Sequence, residues 1–114
     1  MADAPTTFLR KVSVTTFQLK VAANGLITGT KAGGEAPQSF CPAVFVIVRA
    51  DDANAASINW GFGNSARDPL AKGETASFDV PLGYYVDLSE ICVSGTAADS
   101  IHVVAGILEG IAQV

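Results

Sequence analysis

Charged side chains are scarce in this sequence. Asp, Glu, Lys and Arg make up 16% of the residues and hydrophobic residues make up 49%, whereas soluble domains carry about 25% charged residues. Because a free monomer usually keeps enough surface charge to stay soluble, this shortage predicts that other subunits cover part of the surface. The length of 114 residues fits one domain with one hydrophobic core.

Basic runs and long apolar runs are also missing. The net charge is −4, and Arg10 and Lys11 form the only adjacent basic pair, so binding to nucleic acid is not expected. The longest apolar run, Ala43–Val48, is far shorter than the ~20 residues of a membrane-spanning helix. Residues Met1–Thr7 lack the basic start and apolar centre of a secretion signal. The sequence therefore predicts a cytoplasmic product without membrane contact.

Residues that carry catalysis are few. His102 is the single histidine, and Cys41 and Cys92 stand far apart, without the short spacing of a zinc or redox motif. Each cysteine is predicted to be a free thiol in a reducing compartment. The acidic residues fall mostly in predicted turns or at strand edges, where capping explains them. We therefore expect no enzymatic activity, no cofactor and no metal site.

What the sequence does contain is an alternation of apolar and polar residues with a period of two. Phe17 and Leu19 share one face of a predicted strand. Val12 and Val14 lie in the opposite phase, and a one-residue slip inverts every side chain of a strand. We therefore predict a bulge near residues 15–16.

The same alternation recurs along the chain, between turns rich in Gly, Pro, Asn and Asp, and no segment has a helical period. This pattern predicts an all-β protein, namely a single-domain antiparallel β-sandwich of jelly-roll type with an extended N-terminal arm. The predicted boundaries are an arm over 1–11, a sandwich over 12–108 and a C-terminal tail over 109–114. A long Gly-rich loop over 28–38 interrupts the sandwich.

One predicted strand, Ala43–Val48, is apolar on both of its faces. Such a strand is typical of a central position with both faces covered. The second sheet of a sandwich would cover one face. The other face would lie either against another subunit or under the long loop or the N-terminal arm of the same chain, and both alternatives remain open.

Four aromatic residues are candidates for a binding surface. Trp60 and Phe62 are in phase with the predicted core, so packing is expected of them, and a sugar-binding platform or a protein contact is the alternative. Tyr84 and Tyr85 are adjacent, and neighbours in a strand point to opposite faces. One of the two tyrosines is therefore expected to be exposed to a partner.

Four short motifs follow one another between Cys41 and Val104. They are Cys41-Pro42-Ala43-Val44, Asn59-Trp60-Gly61, Pro69-Leu70-Ala71-Lys72-Gly73-Glu74 and Asp87-Leu88-Ser89-Glu90-Ile91-Cys92-Val93-Ser94-Gly95. Their order and spacing resemble a pattern of small bacteriophage virion proteins, over a little more than half of the chain. The resemblance is to capsid decoration or cement proteins and to small head or tail accessory proteins. It implies a β-sandwich that oligomerises on a particle.

The function that this resemblance implies is that of a virion structural protein. A decoration or cement protein would stabilise the phage head by binding across subunits of the major capsid protein, as a homotrimer on the capsid exterior, after assembly in the host cytoplasm. The alternatives are a tail, connector or fibre-associated structural protein and, from a different class, a carbohydrate-binding module. The residues expected to form the contact surface are Phe8, Leu9, Arg10, Lys11, Leu26, Ile27, Val46, Val48, Tyr84 and Tyr85.

Overall fold

The computed structural model of the chain describes residues 8–21, 28–29, 37, 39–63, 65–81 and 83–113. These residues form nine β-strands and one short 3-10 helix, Leu88–Glu90. The strands are β1 (Phe8–Lys20), β2 (Thr28–Gly29), β3 (Pro42–Ala50), β4 (Ile58–Phe62), β5 (Ser65–Leu70), β6 (Thr75–Asp79), β7 (Val86–Asp87), β8 (Ile91–Ser94) and β9 (Ser100–Gln113). The prediction of an all-β protein is confirmed.

The strands form two antiparallel sheets that pack on each other. Sheet A has the order β1-β9-β3-β6, with β7 also paired to β3, and sheet B has the order β2-β8-β4-β5. Four pairings nest inside one another along the chain, β1 with β9, β2 with β8, β3 with β6, and β4 with β5. This nesting defines a jelly roll, in which one long antiparallel ribbon is rolled into two sheets.

The core lies between the inner faces of the two sheets. In sheet A, Val46 lies opposite Ala105 and Val48 lies opposite Val103. In sheet B, the inner face carries Trp60, which lies opposite Val93. All of these side chains are buried and belong to one hydrophobic cluster. They are buried because the period-two alternation puts every second residue on the face that the other sheet covers.

Strand β1 does not bulge at the predicted place. It pairs with β9 without interruption from Val12 to Lys20, and the register shifts between Lys11 and Val12 instead, which leaves Glu109 of β9 as the extra residue. The predicted bulge near residues 15–16 is wrong because the valines keep their phase and face outward, Val14 being 64% exposed. The apolar residues change phase along β1 because its outer face is also apolar in the first half, and the strand itself does not bend there.

The two ends of the described chain form a ribbon. Residues 8–11, which the sequence assigned to an arm, open β1 and pair with residues 110–113, which it assigned to a tail. Pairing of β9 with β3 ends at Ile107, so further along, β9 pairs only with β1 among the described strands. The 14 residues of β9 correspond to about 46 Å of extended chain. The described chain is accordingly elongated, measuring 66 × 26 × 19 Å.

The segment predicted as a long loop contains strand β2, which pairs with β8 through Val93 and Cys92. Most of the remaining residues over 30–38, and the start of the predicted arm over 1–7, lie outside the described residues. Whether either segment covers a face of the sandwich therefore stays a prediction.

The motifs noted in the sequence have local structural roles. The Asp87 carboxylate accepts hydrogen bonds from Cys41 N at 3.0 Å and from Ser89 N at 3.0 Å, and so caps the 3-10 helix. Leu88 N donates to Cys41 O at 2.9 Å, which joins the first motif to the last. In the second motif, a Cβ on Gly61 would meet the backbone carbonyl of β5, so only glycine fits there.

Candidate interaction surface

The outer face of sheet A carries apolar side chains in its central strands. In β3, Phe45 and Ile47 alternate with the buried residues and point away from the core, and Ile47 is 36% exposed. Their neighbours in β9 are Gly106, opposite Phe45, and Val104, opposite Ile47. A sheet that packs on one side only normally presents polar residues on the other. The core of this sandwich therefore does not explain the second apolar face.

Gly106 of β9 lies beneath apolar side chains of this surface. A Cβ at Gly106 would lie 2.6 Å from Phe45 Cδ1 and 2.7 Å from Val12 Cγ1, well inside the optimal separation of about 3.5–4.0 Å between carbon atoms. Phe45 and Val12 come from the strands on either side of β9, and both side chains lie over the Gly106 backbone. Glycine at this position leaves room above β9 for apolar side chains from both β1 and β3.

The apolar surface extends across three strands, and we call it the outer patch. Val14, at 64% exposure, lies opposite Gly106, and Leu108 lies opposite Val12. Its members are the apolar side chains on the outer face of sheet A, namely Val12, Val14, Phe45, Ile47, Val104 and Leu108. A contiguous exposed apolar surface is a common mark of a protein contact site.

Charged groups border the outer patch one row further along β3 and β9. His102 Nε2 lies 2.6 Å from Asp51 Oδ2, and Arg49 Nη1 lies 3.4 Å from Asp52 Oδ2. An ionised carboxylate only accepts, so the imidazole donates in this bond. That bond, and after it the hydrogen bond from Ala53 N, lowers the pKa of Asp51. An apolar centre with a polar rim is the usual anatomy of a protein interface.

The Asp51–His102 pair holds the β3–β4 turn against β9. A nucleophile paired with this imidazole would have to lie within about 3 Å of it. The Ser100 hydroxyl, two residues before His102 in β9, accepts a hydrogen bond from Gln18 Nε2 at 2.9 Å. Among the described residues, no group of three or more His, Cys, Asp or Glu side chains is placed to hold a metal ion.

Two further polar residues fasten the same turn. The Asn54 side chain donates to Ser100 O at 3.0 Å and accepts from Ser100 N at 2.8 Å. The Asp99 carboxylate accepts from Ala55 N at 2.8 Å and from Ala56 N at 3.2 Å. Asn54 and Asp99 are both buried, and buried polar groups need such partners. Asp51, Asn54 and Asp99 therefore have structural roles, as expected for polar residues in turns.

A second exposed surface is aromatic. Phe40, Tyr84 and Tyr85 are 60%, 69% and 53% exposed, and the rings of Phe40 and Tyr85 meet edge to face with centroids 5.2 Å apart. We call these three residues the aromatic corner. The sequence predicted that one tyrosine would be exposed, on one face of a strand. Both are exposed because they precede β7 and lie outside any strand.

Trp60 and Phe62 pack in the core. Trp60 is 6% exposed, and its ring stacks on that of Phe78 in β6, with centroids 6.1 Å apart and an interplanar angle of 15°. Phe62 meets both rings edge-on. This cluster joins the two sheets and confirms the packing prediction, so Trp60 offers no stacking surface to a sugar.

The candidate contact residues of β3 need correction. Val46 and Val48 are completely buried between the sheets, so they are core residues and cannot contact a partner. The face of β3 that reaches the surface carries Phe45 and Ile47. The sequence does not show which set of alternating residues faces the second sheet, because the run is apolar in both phases.

The remaining candidates occupy several places. The backbone of residues 8–10 belongs to β1. Lys11 Nζ lies 3.8 Å from Glu109 Oε2, an exposed pair of the kind that adds little stability. Leu26 and Ile27 lie outside the described residues. Among the candidates whose side chains the structure describes, Val46 and Val48 lie in the core and Tyr84 and Tyr85 lie in the aromatic corner, so these do not form one surface. The outer patch is a site that the sequence reasoning missed.

Cys41 and Cys92 are both thiols and are not joined in a disulfide. Cys92 is buried, and its Sγ lies 3.5 Å from Gly61 O. Cys41 is partly buried, and desolvation, followed by the nearby Asp87 carboxylate, raises its thiol pKa. A raised pKa lowers the thiolate fraction and with it the reactivity of Cys41 at neutral pH.

No protein-family model matches this chain, and no curated protein is significantly similar to it in sequence. Within the described part of the chain, no helix has the length and hydropathy needed to span a bilayer. Function is therefore inferred from the surfaces of the folded chain, above all from the outer patch and the aromatic corner.

Proposed function

We propose that this chain is a bacteriophage virion structural protein, a capsid decoration or cement protein that binds across neighbouring subunits of the major capsid protein and stabilises the head. The observation that carries the proposal is the outer patch. Val14, Phe45 and Ile47 lie on a sheet whose other face already forms the core. An apolar surface beyond the needs of the core is best explained by contact with another protein.

The shape of the outer patch supports a flat contact. It lies on one sheet and draws its residues from β1, β3 and β9, as suits a protein that spans a joint between subunits by an extended surface. Jelly rolls occur among viral capsid domains and among lectins, which supports the proposal at the level of the fold. On this proposal the protein is synthesised in the host cytoplasm and binds the capsid exterior without nucleic acid, membrane or cofactor.

The test is binding to heads built from the major capsid protein of the same genome. Purified protein should bind expanded, undecorated heads saturably and raise their heat resistance. Ile47→Lys places a charge in the outer patch at a partly exposed position, so it should abolish head binding while the monomer stays folded. Tyr84→Lys, at a 69% exposed position of the aromatic corner, is the matched control and should bind as the unaltered protein does.

The result also distinguishes the structural alternatives. A protein that binds no form of the head, but is found in the virion at a few to some tens of copies, would be a tail, connector or fibre component. Normal head binding by Ile47→Lys would show that the outer patch is not the contact surface. Counting copies in purified virions by quantitative mass spectrometry separates these cases.

A carbohydrate-binding module is the second candidate, and the aromatic corner favours it. Exposed aromatic rings stack on sugar faces, and Phe40, Tyr84 and Tyr85 are the exposed rings of the described chain. Binding to a glycan array that is lost in Tyr84→Ala and Tyr85→Ala and kept in Ile47→Lys would favour this function over capsid decoration. The absence of any binding across the array would remove it.

A further inference from the structure

Strand β6 carries an acidic group beside the outer patch. In the pairing of β6 with β3, Ser77 lies opposite Ile47 and Asp79 lies opposite Phe45. Residues directly opposite each other in an antiparallel pair share one face of the sheet, with Cβ atoms about 4.5–5.5 Å apart. Ser77 and Asp79 are both exposed. The Asp79 carboxylate therefore lies on the outer face of sheet A, next to the aromatic residue of the patch.

Asp79 differs from the charged side chains that flank the outer patch in other places, because those are paired. They form three pairs of an acidic and a basic side chain, with nitrogen–oxygen distances of 3.8 Å or less, namely Arg49–Asp52, His102–Asp51 and Lys11–Glu109. Among the residues that the structure describes, Asp79 makes no ion pair. The outer patch is therefore bordered on its β6 side by a negative charge that no described side chain balances.

A protein that binds the outer patch also covers Asp79. The patch draws its residues from β1, β9 and β3, which at about 4.8 Å between neighbouring strands span only about 10 Å. A stable protein contact buries about 800 Å² on each partner, which corresponds to a compact area roughly 28 Å across. Centred on β9, this area extends roughly 14 Å to each side. Strand β6 lies two strand spacings, about 10 Å, from β9, so Asp79 falls inside the contact.

The covered carboxylate restricts the chemistry of the partner. Removing an ionised group from water without an opposite charge strongly disfavours binding. An apolar partner surface would therefore lose at Asp79 much of what it gains at Phe45 and Ile47. A cation placed against Asp79 offsets the loss of hydration and also fixes the register of the two surfaces. The net charge of −4 of the chain favours the approach of such a positively charged group.

We propose that the surface of the major capsid protein which binds the outer patch is apolar at its centre and carries a lysine or arginine that forms a covered ion pair with Asp79. The proposal rests on the function proposed above, because it takes the capsid protein as the partner. The apolar centre meets Val14, Phe45 and Ile47, and the cation lies on the side of β6. The ion pair thus gives the flat contact a defined orientation.

Substitution of Asp79 tests the ion pair, with expanded, undecorated heads as the probe. We expect Asp79→Asn to weaken head binding by at least about tenfold, because the partner cation is left covered and unpaired. Asp79→Lys should weaken binding further, because two like charges then face each other. Asp68→Lys makes the same change of charge at an exposed position in β5 of sheet B. It is the matched control and should bind as the unaltered chain does.

Binding kinetics and charge reversal identify the covered cation. Loss of a covered ion pair raises the dissociation rate, whereas loss of a charge at the solvated edge of a contact changes mainly the association rate. We therefore expect Asp79→Asn to dissociate faster from immobilised heads than the unaltered chain. In heads built with single Lys→Glu or Arg→Glu substitutions of the capsid protein, one substitution should restore the binding of Asp79→Lys and weaken that of the unaltered chain.

Two results would overturn the ion pair and leave the proposed function standing. One is unchanged head binding by Asp79→Asn and Asp79→Lys when Ile47→Lys abolishes it. The other is an effect of Asp79→Asn on the association rate alone, which would place Asp79 at the solvated edge of the contact. An unaltered chain that binds no form of the head would refute the proposed function and the ion pair together, so the two failures are distinguishable.

Discussion

Replacement of Gly106 by alanine tests how the outer patch is built. The new Cβ would lie 2.6 Å from Phe45 Cδ1 and 2.7 Å from Val12 Cγ1. Gly106 is not among the residues with positive φ, so the substitution crowds side chains and does not strain the backbone. Phe45 is only partly buried, so its ring has room to move. We expect the ring to swing away from the sheet.

The magnitude follows from the surface that the ring then exposes. A fully packed Phe buries about 150–250 Å², so displacing a half-buried ring exposes about 100 Å². At about 25 cal/mol per Å² this costs about 2.5 kcal/mol. Alanine restricts the unfolded chain more than glycine does, which returns about 0.5 kcal/mol. The net loss of about 2 kcal/mol corresponds to a fall in Tm of roughly 8 °C for a domain of this size.

A double-mutant cycle separates this cause from others. Urea unfolding is measured for the unaltered chain, Gly106→Ala, Phe45→Ala and the double variant. In the Phe45→Ala background we expect Gly106→Ala to be close to neutral, because the ring is gone and Val12 is able to move into its place. An equal loss of stability in both backgrounds would refute the reasoning, because the cost of a Cβ at Gly106 would then not depend on the Phe45 ring.

Three further substitutions test the close approach of β4 and β5 at Gly61 and the β3–β4 turn. Gly61→Ala should lower the free energy of unfolding by about 3 kcal/mol, because the new Cβ would meet the backbone carbonyl of Ser65, which cannot rotate away. Gly83→Ala, at a position with φ +91° and open space around it, should lower it by only about 1–2 kcal/mol. Equal losses of stability in thermal unfolding of the two variants would contradict this reasoning. Asn54→Ala removes the acceptor of Ser100 N and one donor to Ser100 O, so urea unfolding should show a loss of about 2–3 kcal/mol, against almost none for the exposed control Thr96→Ala. The folded-state pKa of Asp51 is lowered. Its contribution to the free energy of unfolding is therefore fully present above the unfolded-state pKa of about 3.9, and it is lost as the pH falls through the lower folded-state pKa. The stability difference between the unaltered chain and Asp51→Asn should therefore be larger at neutral pH than at acidic pH, and a difference that does not change with pH would contradict the role of the Asp51–His102 bond.

Most of the strands and turns could be predicted because their signals are local. Strand β5 is an exception, because Pro69 and Gly73 predict a connection over residues 64–73 and the structure has a strand over Ser65–Leu70. Ile101 and Val103 share a face with Ala105, and all three are buried as their alternation predicts. Trp60 was assigned to the core from its phase alone, and it lies there. Asp51 accepts a hydrogen bond from Ala53 N at 2.8 Å, which is the turn chemistry that its position indicates.

Strand β3 shows where local signals fail. Its residues are apolar in both phases, and the register with β9 shifts between Ala43 and Phe45, so the sequence does not tell which phase faces the second sheet. A signal for the outer patch was nevertheless present. An isolated glycine inside a predicted strand often marks a close approach of neighbouring groups, and Gly106 stands between Ala105 and Ile107 in such a strand.

The amino-acid sequence by itself determined that the chain forms strands, where most turns fall and which residues of an alternating strand are buried, because these depend on neighbours along the chain. Only the tertiary structure decided that β9 lies between β1 and β3, and so brought Val14, Gly106 and Phe45 into one row. The nested pairing of a jelly roll joins residues from opposite ends of the chain. The choice among such pairings depends on the surface that both sheets bury together, which no local pattern records.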